Sequence, residues 1–453
     1  MDGAADSGDP AGVIAALRAS APWLFAPELG ACLVGSHALA IACARDGVPG
    51  PAPRDLDLAW ALDLEAGRRL LEQHGVFTPT TAGNQERGTL ALKLDGHRIE
   101  VTAFRDGDAS LPLPARIDRD LGARDMTVGA LAVELATGAV HDPTGGLAHW
   151  RARRVVAVGD AEARVREHPV RWLRYYRKAR EWDFEVDAGI RKLRLSPQLL
   201  DALPPEAVAG ELRAALGQCA SPGRFFLDLH EAGVLAHLLP ELAPQFDGRP
   251  AGPQRWHPEV GQALHMILAL EWAAARAADL DERDRLAVLL AVLGHDLGKG
   301  LTPPADLPSH PGHEGMGLAP LARMLDRYPG LADQRARTLA LAVCELHLTA
   351  RRLDELRPGT LARLYDRHFR AKDAPIELFA LAVAADVAGR LGLEDQGPPV
   401  QARVLADLQW LRARCGAIDA AALRRQHPDV DAFRRALHEA RARALAGGPP
   451  RGD

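Results

Sequence analysis

Two aspartates stand two residues apart, at Asp55 and Asp57, and a glutamate follows at Glu100. If residues 55–62 (DLDLAWAL) run as a strand, the two aspartate side chains share one face. Carboxylates placed that way repel one another unless a cation lies between them, and they suit Mg²⁺ beneath a triphosphate. Gly35-Ser36 forms a turn before an Ala-rich stretch that predicts a helix between 36 and 46. Amides at the start of such a helix point at phosphate groups. The set predicts two-metal nucleotidyl transfer, with one ion on the attacking hydroxyl and one on the leaving pyrophosphate. Glu100 joins these carboxylates on a hairpin strand or, equally well, forms a surface pair with Arg98. His37 reads as a cap.

A second constellation lies far along the chain. His295-Asp296 closes the apolar run RLAVLLAVLGHDLGKG, where a buried His-Asp pair is costly unless it binds something. His265 and Asp386 sit in two further apolar stretches of helical character. Imidazole and carboxylate from separate helices suit a divalent ion such as Mn²⁺, Ni²⁺, Co²⁺, Fe²⁺ or Mg²⁺. Lys299, His313 and His347 are read as contacts to a substrate phosphate. Between the two sets, residues 151–180 hold ten basic residues against three acidic ones, in a chain whose net charge is -5. Arg171, Arg174 and Arg177 recur every third residue and predict one basic helix face, suited to a nucleotide or an RNA backbone.

These side chains need elements to position them. Residues 31–35, 55–62, 89–94 and 98–104 read as strands, with Asp95-Gly96 as a hairpin turn. From about residue 161 the apolar spacing turns helical. The predicted fold class is α+β, an α/β head followed by all-helical regions. The expected divisions are an extension at 1–27, loose until about Trp23, a head at 28–146 and a helical neck at 147–250. A metal-binding helical domain follows at 251–395, then C-terminal helices at 396–453. The Pro/Gly cluster at 248–253 marks the boundary after the neck. The 453 residues and 47% hydrophobic content imply a folded multidomain protein and exclude a disordered tail. The five cysteines lack zinc-knuckle or redox spacing, and no apolar run reaches the length of a membrane span. A cytoplasmic monomer or homodimer without membrane contact is expected.

Segments in order along the chain carry a resemblance. They are Asp55-Leu56-Asp57, IEVTAFR at 99–105, ARDMTVGALA at 123–132, DPTGG at 142–146 and REHPVRWLRYYRKAR at 166–180. They resemble the bacterial tRNA nucleotidyltransferase (CCA-adding) and poly(A) polymerase family, whose head is polymerase-β-like. RWHPEVGQALHMILAL, LLAVLGHDLGKGLTPP, SHPGHEGMG, ELH at 345–347 and ADVAGR at 385–390 resemble the multifunctional members that carry an HD phosphohydrolase domain. Coverage runs from about residue 31 to about 430. The resemblance implies Mg²⁺ at Asp55 and Asp57, a nucleoside triphosphate substrate near Arg124 and Asp125, and a tRNA 3′ end as partner. It implies base reading by residues 168 and 171, without a nucleic-acid template, and HD metal ligands His265, His295, Asp296 and Asp386. The HD activity so implied removes 2′- or 2′,3′-cyclic phosphates from RNA ends.

Departures from the family pattern bear on specificity. The base-reading Asp is His168 here, while Arg171 is kept. GGxxRD becomes Gly35-Ser36-His37-Ala38-Leu39-Ala40, an Asn becomes Gly129, and one Arg becomes Ala123. A carboxylate only accepts hydrogen bonds, whereas neutral imidazole donates at one nitrogen and accepts at the other. Three readings follow: a CCA-adding-like transferase, a transferase of altered base or acceptor choice, and an RNA-end phosphatase whose head only binds RNA.

Overall fold

The computed structural model describes residues 10–53, 55–80, 88–105 and 108–450. The chain forms two compact units, residues 1–179 with 183–193 and residues 180–182 with 194–453.

The first unit is built on a seven-stranded mixed sheet. Its strands are β1 Cys32–Val34, β2 Asp57–Trp60, β3 Phe77–Thr78, β4 Thr89–Leu94, β5 His97–Ala103, β6 Ala132–Glu134 and β7 Val140–His141. Their order is β3-β4-β5-β2-β1-β6-β7. β4 and β5 close through Asp95 at φ 47 and Gly96 at φ 85, both in the left-handed region that a two-residue type I′ turn requires. Central β2 runs antiparallel to β1 and parallel to β5. Cys32, Val34, Ala59 and Ala132 on the sheet pack against Ile117 and Leu121 of a helix at Leu113–Gly122.

Asp55 precedes β2 instead of lying within it. The stretch expected to be loose before Trp23 holds a helix at Pro10–Ser20, whose Leu17 is buried. Four helices carry the sites of interest here: α1 Gly35–Arg45, α2 Leu113–Gly122, α3 Ala161–Glu167 and α4 Val170–Trp182.

The second unit is helical. Its core is α5 Gln262–Arg276, α6 Glu282–Gly294, α7 Gln334–Leu346 and α8 Ile376–Ala388. α6 packs on α5, α7 and α8. α8 is buried on every side, as a helix apolar all round must be. Just past its end, a Cβ on Gly389 would stand 2.6–2.7 Å from Ala269 atoms, so only glycine lets the α8 terminus approach α5 this closely. The Pro/Gly stretch 248–253 lies inside this unit. Ala251 is fully buried, and its amide donates to the Val260 carbonyl at 2.7 Å.

Candidate active sites

In the first unit, β-pairing sets the carboxylates. Asp57 opens β2, opposite Val34 on one side and Glu100 on the other. In-register neighbours across a sheet project to the same face, so Asp57 and Glu100 share theirs. Gly35, at φ 66, follows Val34 and starts α1, and a Cβ there would lie 3.6 Å from Asp57 Oδ2. The amide end of α1 therefore abuts the carboxylate. His37 Nδ1 donates to the Asp55 carbonyl at 2.9 Å and ties the loop before β2 to the first turn of α1. Burial, with Asp55 and Glu100 facing it, pushes the Asp57 carboxyl up to about 6, against the pull of Arg124. A carboxyl that resists ionising beside two others is the electrostatic signature of a cation site, because a cation relieves the repulsion a proton otherwise relieves. The donor set is all oxygen and fits Mg²⁺. Glu100 also stands 3.7 Å from Arg98 Nη2, so the surface-pair geometry coexists with the shared face.

The expected nucleotide-binding residues fall into two groups. Arg124 pairs with buried Asp120 at 3.0 Å, and Arg105 braces the same carboxylate at 3.1 Å. Asp125 accepts from the Met126 amide at 2.8 Å and from Arg174 at 2.9 Å, while the Tyr175 hydroxyl donates to its carbonyl. Its carboxylate thus locks the segment after α2 to α4. Arg171 is buried, donating to Glu167 at 2.6 Å and to the Arg164 carbonyl at 3.1 Å. Arg177 is buried as well. His168 is exposed at the α3 C-terminus. The basic segment is not a bare cationic track. Arg151, Arg153, Arg154, Arg164, Arg166 and Arg180 each pair with an acid, as Arg171 and Arg174 do.

In the second unit, His265 from α5, His295-Asp296 after α6, His313, His347 after α7 and Asp386 from α8 converge, all buried. His265 Nε2 lies 3.4 Å from Asp386 Oδ1 and 3.5 Å from Asp296 Oδ2. His295 Nε2 lies 3.2 Å from Asp296 Oδ2. On the other oxygen, Asp296 Oδ1 meets His313 Nε2 at 3.2 Å and His347 Nε2 at 3.7 Å. Every imidazole turns its Nδ1 to a backbone carbonyl: Gly389 for His265, Val292 for His295, His310 for His313, and Val343 for His347. A carbonyl only accepts, so Nδ1 carries the proton and Nε2 keeps its lone pair, the tautomer a metal ligand needs. His265 Nε2, His295 Nε2 and Asp296 Oδ1 are buried without a hydrogen-bond partner. These orphaned atoms fit a divalent cation.

Burial raises the Asp296 and Asp386 carboxyls, yet the basic side chains beside them outweigh it and hold both well below the usual range. Those neighbours are His295 and Lys299 for Asp296, and Arg390 for Asp386.

The placement adds to the sequence reading. His313 and His347 are buried and stand in a ligand-like group with Asp296. Lys299 Nζ lies 2.7 Å from Asp296 Oδ2 and donates to the Ala251 carbonyl at 2.8 Å, so it braces the aspartate. Sequence reasoning missed Glu259, whose fully buried carboxylate accepts from His257 at 2.7 Å and approaches His265 Nδ1 at 3.2 Å. It also missed Arg390, one helical turn beyond Asp386, and Gln262, one turn before His265 with its amide on Asp296 at 3.1 Å. Spacing of three and four from a ligand on one helix was the available signal.

Residues 39–156 match the poly A polymerase head domain family. A multifunctional CCA protein of Methylococcus capsulatus is 36% identical over 73% of this chain and 75% of its own length. One from Xanthomonas campestris pv. campestris is 39% identical over 75% and 80%. The chain belongs to the multifunctional CCA protein family. A CCA-adding enzyme of Bacillus stearothermophilus, solved in complex with CTP, shares the fold with a TM-score of 0.61 at 20% identity, covering 98% of this chain and 93% of that one. A CCA-adding enzyme of Thermotoga maritima, solved with tRNA, shares it with a TM-score of 0.55 at 15% identity, covering 93% and 88%. Family membership joins both clusters in one protein class, a nucleotidyltransferase head followed by helices. No helix among the described residues is long and apolar enough to cross a membrane.

Proposed function

We propose that this chain adds nucleotides to tRNA 3′ ends in the cytoplasm without a nucleic-acid template, as a CCA-adding enzyme. The carrying observation is Asp57 in register with Glu100, beside the amide end of α1, its carboxyl pushed up by burial and then by its carboxylate neighbours. When bound, Mg²⁺ at Asp55, Asp57 and Glu100 supplies activation of the acceptor hydroxyl and charge neutralisation on the departing pyrophosphate. The chain supplies the positioning. His37 fixes the Asp55 loop, Gly35 and Ser36 present amides to the triphosphate, and Arg124 offers positive charge from its anchor on Asp120. Arg171 is pinned by Glu167, so exposed His168 is the freer of the two base-reading positions. That favours a second reading, in which base preference departs from C and A. Relatives solved with CTP, ATP and tRNA support both substrate classes. The test incubates the protein with each labelled nucleoside triphosphate and tRNAs lacking one, two or three terminal nucleotides. Incorporation is expected and is lost in Asp57→Asn; incorporation that survives the substitution refutes the assignment.

The second unit is proposed to be an HD phosphohydrolase acting on 2′- or 2′,3′-cyclic phosphates of RNA ends, giving the 3′-hydroxyl that addition needs. A divalent cation such as Ni²⁺, Co²⁺ or Mn²⁺, when bound, supplies polarisation of the phosphoester. His265, His295, Asp296, His313, His347 and Asp386 are its proposed ligands, with Lys299, Glu259 and Arg390 holding them in place. Opening of a 2′,3′-cyclic-phosphate-ended RNA to the 2′-phosphate, and phosphate release from a 2′-phosphate end, are expected to persist in Asp57→Asn and to vanish in His295→Ala.

A further inference from the structure

Away from the His/Asp cluster of the second unit, a cavity of about 470 Å³ opens between α7 and the segment leading into α8. Its wall includes a π-helical turn, Tyr365–Phe369, a rare geometry that concentrates at functional positions. Four arginines line it: Arg283, Arg335, Arg367 and Arg370. Three of them use one edge of the guanidinium on a carboxylate, Arg283 on Asp333, Arg335 on Asp284 and Arg367 on Glu345. Arg370 has no acidic partner among the described residues. Two lining nitrogens lack any hydrogen-bond partner although buried: Arg335 Nε, a donor, and His368 Nε2. The His368 side chain is 90% buried, with Glu345 Oε2 3.4 Å from its Nε2. Buried donors without acceptors are costly, and an incoming acceptor repays that cost. The floor is apolar, formed by Phe379 packed edge-on against Phe369. Arg412 fastens the rim by donating to the Ala371 and Ala374 carbonyls.

Guanidinium forks matched to tetrahedral oxyanions, an apolar floor and a volume in the small-ligand range specify an occupant. We propose that this cavity binds a phosphate ester of mononucleotide size, at a place distinct from the carboxylate site of the head and the His/Asp cluster. The phosphate meets Arg335, Arg370 and His368, and the base or sugar lies toward Phe379.

The test measures AMP and inorganic phosphate binding to the full chain by calorimetry in EDTA, which leaves the two metal clusters without cations. Arg335→Met and Arg370→Glu are each compared with the parent chain. Arg370 is exposed, so its substitution keeps the experiment decisive if Arg335→Met fails to fold. AMP binding weakened about tenfold or more in Arg370→Glu, with nucleotide incorporation into tRNA unchanged, is expected. Equal AMP affinity in the parent chain and both variants overturns the proposal. So does weakening confined to tRNA binding with AMP unaffected, which assigns these arginines to an RNA backbone instead.

Discussion

Stripping divalent cations from the chain and returning Ni²⁺, Co²⁺ or Mn²⁺ singly is expected to raise the melting temperature of the second unit. The reasoning starts from three buried atoms without partners, His265 Nε2, His295 Nε2 and Asp296 Oδ1. Each such atom costs about 1–3 kcal/mol while unmet. A cation that meets all three binds the folded state alone, and at one hundred times its dissociation constant it adds about 2.7 kcal/mol. For a domain of this size each kcal/mol moves the midpoint by about 2–4 °C, so the gain is about 5–11 °C. Differential scanning calorimetry on the full chain reads it. Burial alone lowers the His265 pKa, but the Asp386 and Glu259 carboxylates beside it outweigh that and raise it above the ordinary imidazole value. An entering cation must displace that proton, so the gain grows as pH rises. His295→Ala and Asp386→Asn should each abolish the gain. A midpoint indifferent to every ion, or a gain that survives both substitutions, refutes the metal centre.

Four further outcomes are expected. Mg²⁺-dependent nucleotide incorporation should fall as pH drops below about 6, because the raised Asp57 carboxyl takes up a proton there in competition with the cation; a rate flat from pH 5 to 7 argues against Asp57 as a ligand. Burial also pushes Glu271 up to about 7 from 4.5. Between about pH 4.5 and 7 the folded state holds a proton the unfolded state has released, so the Glu271 contribution to stability is fully present below 4.5 and about 3 kcal/mol of it is lost as pH rises through 7. Urea titrations of Glu271→Gln should lose that dependence. In Gly146→Ala a Cβ would stand 2.2 Å from the Thr127 carbonyl, predicting a loss of about 1–3 kcal/mol in the first unit, and an unchanged melting midpoint counts against that packing. His168→Asp should shift nucleotide use toward CTP and ATP in single-nucleotide incorporation assays, and an unchanged preference removes His168 from base reading.

How far the sequence revealed the molecule depended on whether chemistry was local. The hairpin at Asp95-Gly96 was legible because a two-residue turn with both φ positive is written in adjacent residues. The i, i+2 spacing of Asp55 and Asp57 suggested a shared strand, yet β2 begins at Asp57 and leaves Asp55 outside it. What aligns with Asp57 is Glu100, on a neighbouring strand forty-three positions later, and a parallel register cannot be counted from spacing. Ten basic residues between 151 and 180 read as a cationic face. Glu162 and Glu167 inside the segment meet three of them, but Asp46, Asp125, Asp183, Asp187 and Asp228 lie elsewhere in the chain, where composition of one segment cannot see them. His265, His295 and Asp386 stood out because each interrupts an apolar helix. His313 and His347 follow no such interruption; packing of α6 on α7 brings His347 to Asp296, and packing of the short helix His313–Met316 on the turn after α6 brings His313.

The two clusters differ in how their charge is balanced, and that difference separates the ions they attract. In the head, Arg124 divides its charge between Asp120 and the carboxylates beyond, so the Asp57 carboxyl still rises to about 6. The residual field is negative, and a small hard cation answers it through charge and oxygen alone. In the second unit, Lys299 lies 2.7 Å from Asp296, and Arg390 and Arg351 lie 3.2 and 3.4 Å from Asp386. Both carboxyls sit well below their usual range there, so little net negative charge is left to draw a cation. What remains on offer is imidazole lone pairs, fixed in direction by carbonyls behind each ring. Nitrogen donors favour Ni²⁺, Co²⁺ or Mn²⁺ over Mg²⁺, which dehydrates reluctantly and prefers oxygen. On the proposed assignment, the head favours Mg²⁺ and the helical unit a transition metal.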